Sequence, residues 1–360
     1  MRDTLIGAKT HPADGGRIAV PMPIRVKFLS RVKMPDLNIG DSYLRRFPGF
    51  EPTLGACRFI FDRDCREYDW LAVYDDLPRD TPEEILACPR ENTLLLTGEP
   101  SSITRYGKRF LAQFGHILTS QEPSAIEHPN LIRRQAGLFW YYAGSDKRGT
   151  YDELSAANPP EKTHGISCVC STKAMRHTMH YQRFTFVQRL MHQDLPEIEV
   201  WGYGIRDLQN KADAIDPYRY HLAIENHSCD HHWTEKLADA FLGFSLPIYY
   251  GCTNLDEYFP PDSYIWIDIR NPDKALATIR QTLAEDPYEA RLPAIIEARR
   301  RVLEEYATFP QLARLISERH APRPAIQNGL ITGRREFRRR HPFKAVADAL
   351  KNLSPARIHE

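Results

Sequence analysis

Apolar and polar positions are most clearly patterned between Tyr218 and Ile269. The run Tyr220-His221-Leu222-Ala223-Ile224 predicts a strand that breaks off at Glu225-Asn226, where the chain turns polar through Ser228 and Asp230. Leu237, Ala240, Phe241 and Phe244 then recur at helical spacing, and Gly243, Ser245 and Pro247 punctuate the helix end. Leu246 to Tyr250 predicts the following strand, closed by Gly251. Strand, helix and strand over so short a span predict a right-handed crossover of a parallel sheet, and ligands of such sheets collect at the strands' carboxyl ends. Glu225, Asn226, Glu235 and Lys236 all fall on that rim.

The amino-terminal half carries further strand patterns at Ile24 to Leu29, Cys57 to Phe61, Trp70 to Tyr74, Thr93 to Thr97 and His116 to Thr119. Helices are predicted around Pro82 to Ala87 and over Ile103, Tyr106, Phe110 and Phe114. Gly144 to His164, rich in Asp, Lys, Asn and Pro, reads as a linker, and a second α/β region starts with the strand Ile166 to Cys170. Beyond Asp273 the chain reads as helical over Ala275 to Leu283, Tyr288 to Tyr306 and Phe309 to Arg319. The expected domains are 1–155, 156–325 and a basic tail, 326–360. That tail, with Arg334, Arg335, Arg338, Arg339, Arg340 and Lys344 among Phe337, Phe343, Val346 and Leu350, reads as a solvated charged face or as a surface for anionic lipid.

Two residues invite chemistry. Lys236, a cation in a first helical turn, opposes the helix dipole, and either Glu235 or Asp239 or a bound diphosphate would offset that cost. Glu99 follows a strand and precedes Pro100 and a helix start that Ser101 or Ser102 could cap, so it reads as a dipole-favoured glutamate or as a base held on a fixed stem. The cluster His227, Cys229, Asp230, His231 and His232 allows a metal site, giving a hydrolase or a structural zinc protein, although ligands so crowded rarely converge on one tetrahedral centre. Asp62-Arg63-Asp64 has the spacing of a metal-binding pair but reads as a turn away from the rim.

Composition narrows the classes. The 360 residues carry 48 Lys and Arg against 47 Asp and Glu, so no global field favours nucleic acid. An apolar fraction of 42% allows two domain cores. Seven cysteines, an odd number without a Cys-x-x-Cys pair, suit a reducing cytoplasm, and no apolar run of signal-peptide or membrane-span length occurs. The expectation is a soluble, cytoplasmic, unprocessed protein, peripheral to the membrane's inner face if the tail touches lipid.

Tyr218-Arg-Tyr-His-Leu-Ala-Ile-Glu-Asn226, Trp233-Thr-Glu-Lys236, Leu246-Pro-Ile-Tyr-Tyr-Gly251 and Pro261-Asp-Ser-Tyr-Ile265 together resemble the donor-binding signature of the α-1,3-fucosyltransferases, glycosyltransferase family 10. Upstream, Asn210-Lys211, Gln182-Arg183-Phe184, Ser171 and Leu94-Leu-Leu-Thr-Gly-Glu99 resemble further family segments. His232 and Trp233 depart from the family's tyrosine and small aliphatic residue before Thr-Glu-Lys, which touches the sugar half of the donor site. The resemblance implies a GT-B fold, two Rossmann-like α/β domains facing a central cleft with carboxyl-terminal helices. It implies an inverting, metal-independent enzyme of bacterial type, or an excised catalytic region, moving fucose from GDP-fucose to a GlcNAc-type hydroxyl of a glycan on lipopolysaccharide or protein. Glu99 is then the base, Glu235 faces the sugar, and Arg183 and Lys236 neutralise the diphosphate without a metal or other cofactor. Glu225 and Asn226 bind ribose or sugar hydroxyls or tie the strand to its loop, and Ser171, Tyr218 and Gly202 complete the donor site. The competing expectations are a transferase of similar fold using another nucleotide sugar, and a non-catalytic glycan- or nucleotide-binding module.

Overall fold

The computed structural model describes residues 22–31, 43–144, 146–170, 179–192, 198–202, 204–322, 324 and 329–340. Two mainly parallel sheets carry it. The first contains β1 (Ile24–Ser30), β2 (Thr53–Leu54), β3 (Cys57–Ile60), β4 (Trp70–Tyr74), β6 (Thr93–Thr97), β7 (His116–Thr119) and β8 (Leu131–Arg133), in the spatial order β2-β3-β1-β4-β6-β7-β8, with only the β2–β3 pair antiparallel. A parallel sheet needs cover on both faces, and alternate side chains supply it here. Val26, Phe28, Trp70, Ala72, Leu94 and Leu96 share one core, while Leu29, Leu71, Val73, Leu95 and Ile117 share the other.

The second sheet, β9 (His164–Val169), β10 (Ile198–Trp201), β11 (Tyr218–Ile224), β12 (Leu246–Tyr250) and β13 (Ile265–Trp266), is parallel throughout in the order β10-β9-β11-β12-β13. The crossover read from the sequence is present as β11, the helix Glu235–Leu242 and β12. That helix has buried residues all round because it lies between the sheet and the helix Tyr288–Arg301.

Four expectations are corrected. The segment around Pro82 to Ala87 is a strand, β5 (Glu83–Ile85), paired antiparallel with β14 (Leu330–Thr332); pairing with a distant segment overrides a local helical reading. Of the helix expected from Ile103 to Phe114, only Lys108–Leu111 is α-helical, since the chain turns back on Pro100 and re-enters at Gly107. The linker contains a helix, Tyr151–Ala156, whose buried Leu154 joins the second core. Finally, the carboxyl domain does not run to residue 325 with a separate tail after it. Phe309, Leu312, Leu315 and Ile316 of the helix Thr308–Arg319 pack on the first sheet, and β14 with the helix Arg334–Arg340 docks on the same half. Apolar periodicity marks that a helix is buried but not which sheet receives it. Lys344, Phe343, Val346 and Leu350 lie outside the described residues.

Candidate active site

The carboxyl ends of strands from both sheets meet at a cleft of about 490 Å³. Asp75 after β4, Glu99 after β6 and Ser120 after β7 come from one side, and Glu225, Asn226 and His232 to Lys236 from the other. Glu99 and the Thr234-Glu235-Lys236 triplet therefore line the same space, as expected of the carboxyl rim of parallel strands.

Glu99 sits on a tightly held stem. The Gly98 amide donates to the Asp75 carboxylate at 2.8 Å, and Gln121 Nε2 donates to the Glu99 carbonyl at 2.8 Å. A Cβ at position 98 would meet the Tyr74 hydroxyl at 2.3 Å, so glycine lets the stem pass against the Tyr74 ring where it now lies. The Glu99 carboxyl itself opens into the cleft. Crowding by protein pushes its pKa up, the nearby Asp75 and Glu235 carboxylates push it further, and Lys236 and Arg31 oppose them.

On the facing rim, Glu225 is fully buried and accepts from the Thr234 amide and hydroxyl, both at 2.7 Å, so it ties the strand end to the helix start. Its pKa is raised by burial, against the pull of Lys236. The Thr234 hydroxyl also accepts from the Lys236 amide as helix cap. Lys236 Nζ lies 2.9 Å from Glu235 and 3.5 Å from Glu225. Asp239, the other expected partner, pairs instead with Lys211 at 2.6 Å. Burial alone would raise Glu235, but Lys236 and Lys211 outweigh it and hold this carboxylate at about 2. Lys236 is correspondingly raised: burial works against its charge, and Glu235 and Glu225 prevail. The protein's own carboxylates thus offset the lysine at the helix start.

Arg183, on the helix Met179–Met191, is only 7% exposed and its Nε is buried without a hydrogen-bond partner. It lines a small interior void with Lys211 and Lys236 behind the rim, rather than the open cleft. Asn226 lines the cleft with its Oδ1 buried and unpartnered. Gly202, at φ +123°, approaches the Cys170 carbonyl so closely that a Cβ would lie 2.3 Å from it, which places it at the carboxyl end of β10 but not on the cleft wall. Tyr218 is elsewhere. It opens β11, six residues and about 20 Å of strand before the rim, and accepts from Trp201 Nε1 at 3.2 Å. Ser171 lies outside the described residues.

The histidine cluster disperses. His231 bonds the Tyr258 hydroxyl at 2.7 Å, His232 bonds Ser120 at 3.2 Å, and Asp230 accepts from Thr253. His227 and Cys229 instead meet Glu122 of the other half, with ligand-capable atoms within 4.8 Å of one another. His227 Nε2 and Glu122 are hydrogen-bonded at 2.6 Å, and burial pushes the Cys229 thiol up, so the group reads as a clasp across the two halves. His232 is fully buried, which lowers its pKa to about 3 and keeps the ring neutral. Trp233 packs edge-on against Tyr258, Phe259 and Tyr306. Asp62-Arg63-Asp64 forms a bend in which the Asp64 amide donates to Asp62, and Arg63 pairs with Asp80, none of them at the cleft.

Asp75 was not singled out in the sequence, although it carries the same signal as Glu99, an acid directly after a buried strand. It holds φ +62°, accepts from Gly98 and from the Tyr106 hydroxyl at 2.7 Å, and burial raises its pKa. Tyr74, Gln135, Tyr141 and His180 complete the wall without any motif to announce them.

Residues 159–291 match the family model described as glycosyltransferase family 10 (fucosyltransferase) C-term. An α-(1,3)-fucosyltransferase of Helicobacter pylori is 31% identical over 80 residues, 22% of this chain and 16% of that protein. A GDP-fucose protein O-fucosyltransferase 3 of Danio rerio is 31% identical over 111 residues, 31% of this chain and 24% of that protein. The matches thus span about a sixth and a quarter of those relatives. A crystal structure of an α1,3-fucosyltransferase with GDP-fucose superposes with a TM-score of 0.45 at 15% identity, covering 84% of this chain and 96% of that one. The matched region runs from just before β9 into the helix Tyr288–Arg301, so the half of the chain built on the second parallel sheet is similar to the carboxyl-terminal region of glycosyltransferase family 10, the fucosyltransferases.

Proposed function

We propose that the chain transfers fucose from GDP-fucose to a glycan hydroxyl with inversion at the anomeric carbon and without a metal, most simply in α-1,3 linkage to a GlcNAc-type sugar. One observation carries the reading: a carboxyl of raised proton affinity, Glu99, faces across one cleft the Thr234-Glu235-Lys236 helix start, which lies in the region similar to family 10. The named donor and linkage of the Danio and Helicobacter relatives supply the substrate.

In this reading Glu99 takes the proton of the acceptor hydroxyl as the oxygen attacks the anomeric carbon from the face opposite the leaving diphosphate. Inversion follows from that single displacement. Lys236 stabilises the departing charge as a point cation, and Arg183 adds a guanidinium from behind the rim. Glu235, kept ionised by its lysine neighbours, faces the positive charge that develops on the sugar. Asn226 Oδ1, unpartnered in the cleft wall, offers an acceptor for a sugar or ribose hydroxyl. Glu225 acts through Thr234 by fixing the helix start rather than by touching the donor.

His232 and Trp233 favour testing the donor first. Calorimetric titration with GDP, GDP-fucose, GDP-mannose and UDP-galactose should show the GDP pair binding and GDP-fucose preferred. Preference for a uridine or a different hexosyl donor would leave the family fold in place and overturn the proposed substrate.

A further inference from the structure

The segment expected to be a free tail instead builds a second concavity. β14 and the helix Arg334–Arg340 are anchored on the amino-terminal half: Gly333 N donates to the Pro82 carbonyl at 2.7 Å, Arg334 N to Asp76 at 2.9 Å, and the Arg334 guanidinium to the Arg105 carbonyl at 2.8 Å while stacking over Tyr106. Between this helix and the loop after β4 lies a groove of about 780 Å³ into which Arg31, Arg79, Arg335, Arg338 and Arg339 contribute. The groove holds two acids, and both are engaged. Glu336 is paired with Arg339 and Arg340 at 2.8 Å, and Asp76 accepts from the Arg334 and Leu77 amides. Among the described residues Arg31, Arg79, Arg335 and Arg338 have no ion pair with a carboxylate.

Cations gathered in a concave, anchored wall repel one another, and an anion relieves that repulsion; guanidinium forks suit phosphate, sulfate and carboxylate oxygens in particular. Location gives the groove a purpose. Asp76 on its wall follows Asp75 on the cleft wall, and the charge of Arg31 is felt at both Asp75 and Glu99. The groove therefore lies on the Glu99 side of the cleft, away from the helix start proposed to hold the diphosphate.

We propose that this arginine groove is an acceptor subsite for an anionic substituent, a phosphate, sulfate or carboxylate, carried by the glycan that receives the sugar. Calling the ligand an acceptor rests on the function proposed above; the groove's affinity for the anion does not. The test is calorimetric binding, with GDP present, of 6-sulfo-N-acetyllactosamine and of neutral N-acetyllactosamine to the full chain and to R335S/R338S. The expected result is tighter binding of the sulfated sugar by roughly tenfold or more, erased in the double variant and reduced in R79S, on a different element. The preference should also shrink at high salt, and GDP should bind R335S/R338S as tightly as it binds the intact chain. Should the sulfated sugar bind while GDP-fucose is never consumed, the groove stands and the transferase reading falls. Equal binding of the two sugars overturns the proposal. So does loss in R335S/R338S of binding to phosphatidylglycerol vesicles without any preference among soluble sugars, which would assign the arginines to a membrane surface.

Discussion

Asp75 and Glu99 illustrate how a carboxyl is held and tuned by neighbours rather than by its own position. Asp75 fixes the Gly98 amide just before Glu99 and places a second negative charge beside it. The other groups facing Glu99 are Glu235, Lys236, Arg31, Tyr74 and Tyr141. A base works only when deprotonated, so with Glu99 in the proposed role its raised pKa predicts activity that is present above that value and lost as pH falls through it, beginning at higher pH than an ordinary glutamate near 4.5 would require. Asp75→Asn keeps an oxygen for the Gly98 amide and removes the charge. The acid limb of the kcat/KM profile should move to lower pH in this variant, with KM for GDP-fucose unchanged; an unmoved limb together with reduced stability would assign Asp75 a structural role alone.

Not all charge within the sheets serves chemistry. Lys27, in the middle of β1, has no exposure and reaches Glu84 at 2.8 Å together with the Arg63 and Cys65 carbonyls, while Glu84 also receives Arg66 and Tyr68. Removing the cation leaves a buried carboxylate short of its main partner. Lys27→Met should cost about 3–5 kcal/mol of unfolding free energy in a denaturant titration without altering donor affinity in the folded fraction.

At the level of elements, the strands read from the sequence as Trp70 to Tyr74, Thr93 to Thr97, His116 to Thr119 and Leu246 to Tyr250 appear with those bounds, because each is a β-rich apolar run closed by polar or glycine residues. The strand β11 likewise ends at the rim, so the positions of Glu225 and Asn226 follow from the pattern, whereas the pattern alone leaves Glu99 as readily a helix-start glutamate as a base. Three short strands carry no such run: β8, β10 and β13 have four residues or fewer and take their form from pairing partners. β5 was misread for that reason, since its partner lies some 245 residues away in sequence, at Leu330 to Thr332. Tyr218 was drawn to the site by lying in the same motif as Glu225, whereas the strand's length carries it to the opposite edge. Arg183 is near Lys236 in the fold, yet its burial behind the rim could not be read from an arginine-rich helix.

The whole molecule is closed by chain that returns. The helix Thr308–Arg319 and the β14 segment leave the second half and complete the first, so carboxyl-terminal residues fill the amino-terminal half's cores. Truncation after residue 322 removes the buried Ile331, the partner of β5 and the groove's helix. It should lower the melting temperature by roughly 5–15 °C; a dispensable tail would leave it unchanged. His227–Glu122 and His232–Ser120 add hydrogen bonds that tie the two halves together beside the cleft.

The central claim is that Glu99, facing Lys236 across this cleft, removes the acceptor's proton in an inverting transfer. Its most direct measurement is turnover of GDP-fucose with N-acetyllactosamine by the intact chain and by Glu99→Gln, with the anomeric configuration of the product read by NMR. The account predicts an inverted fucoside from the parent protein and a kcat lowered roughly 10²–10⁴-fold in the variant, with donor binding retained. A product of retained configuration, or a variant as fast as the parent, would contradict it.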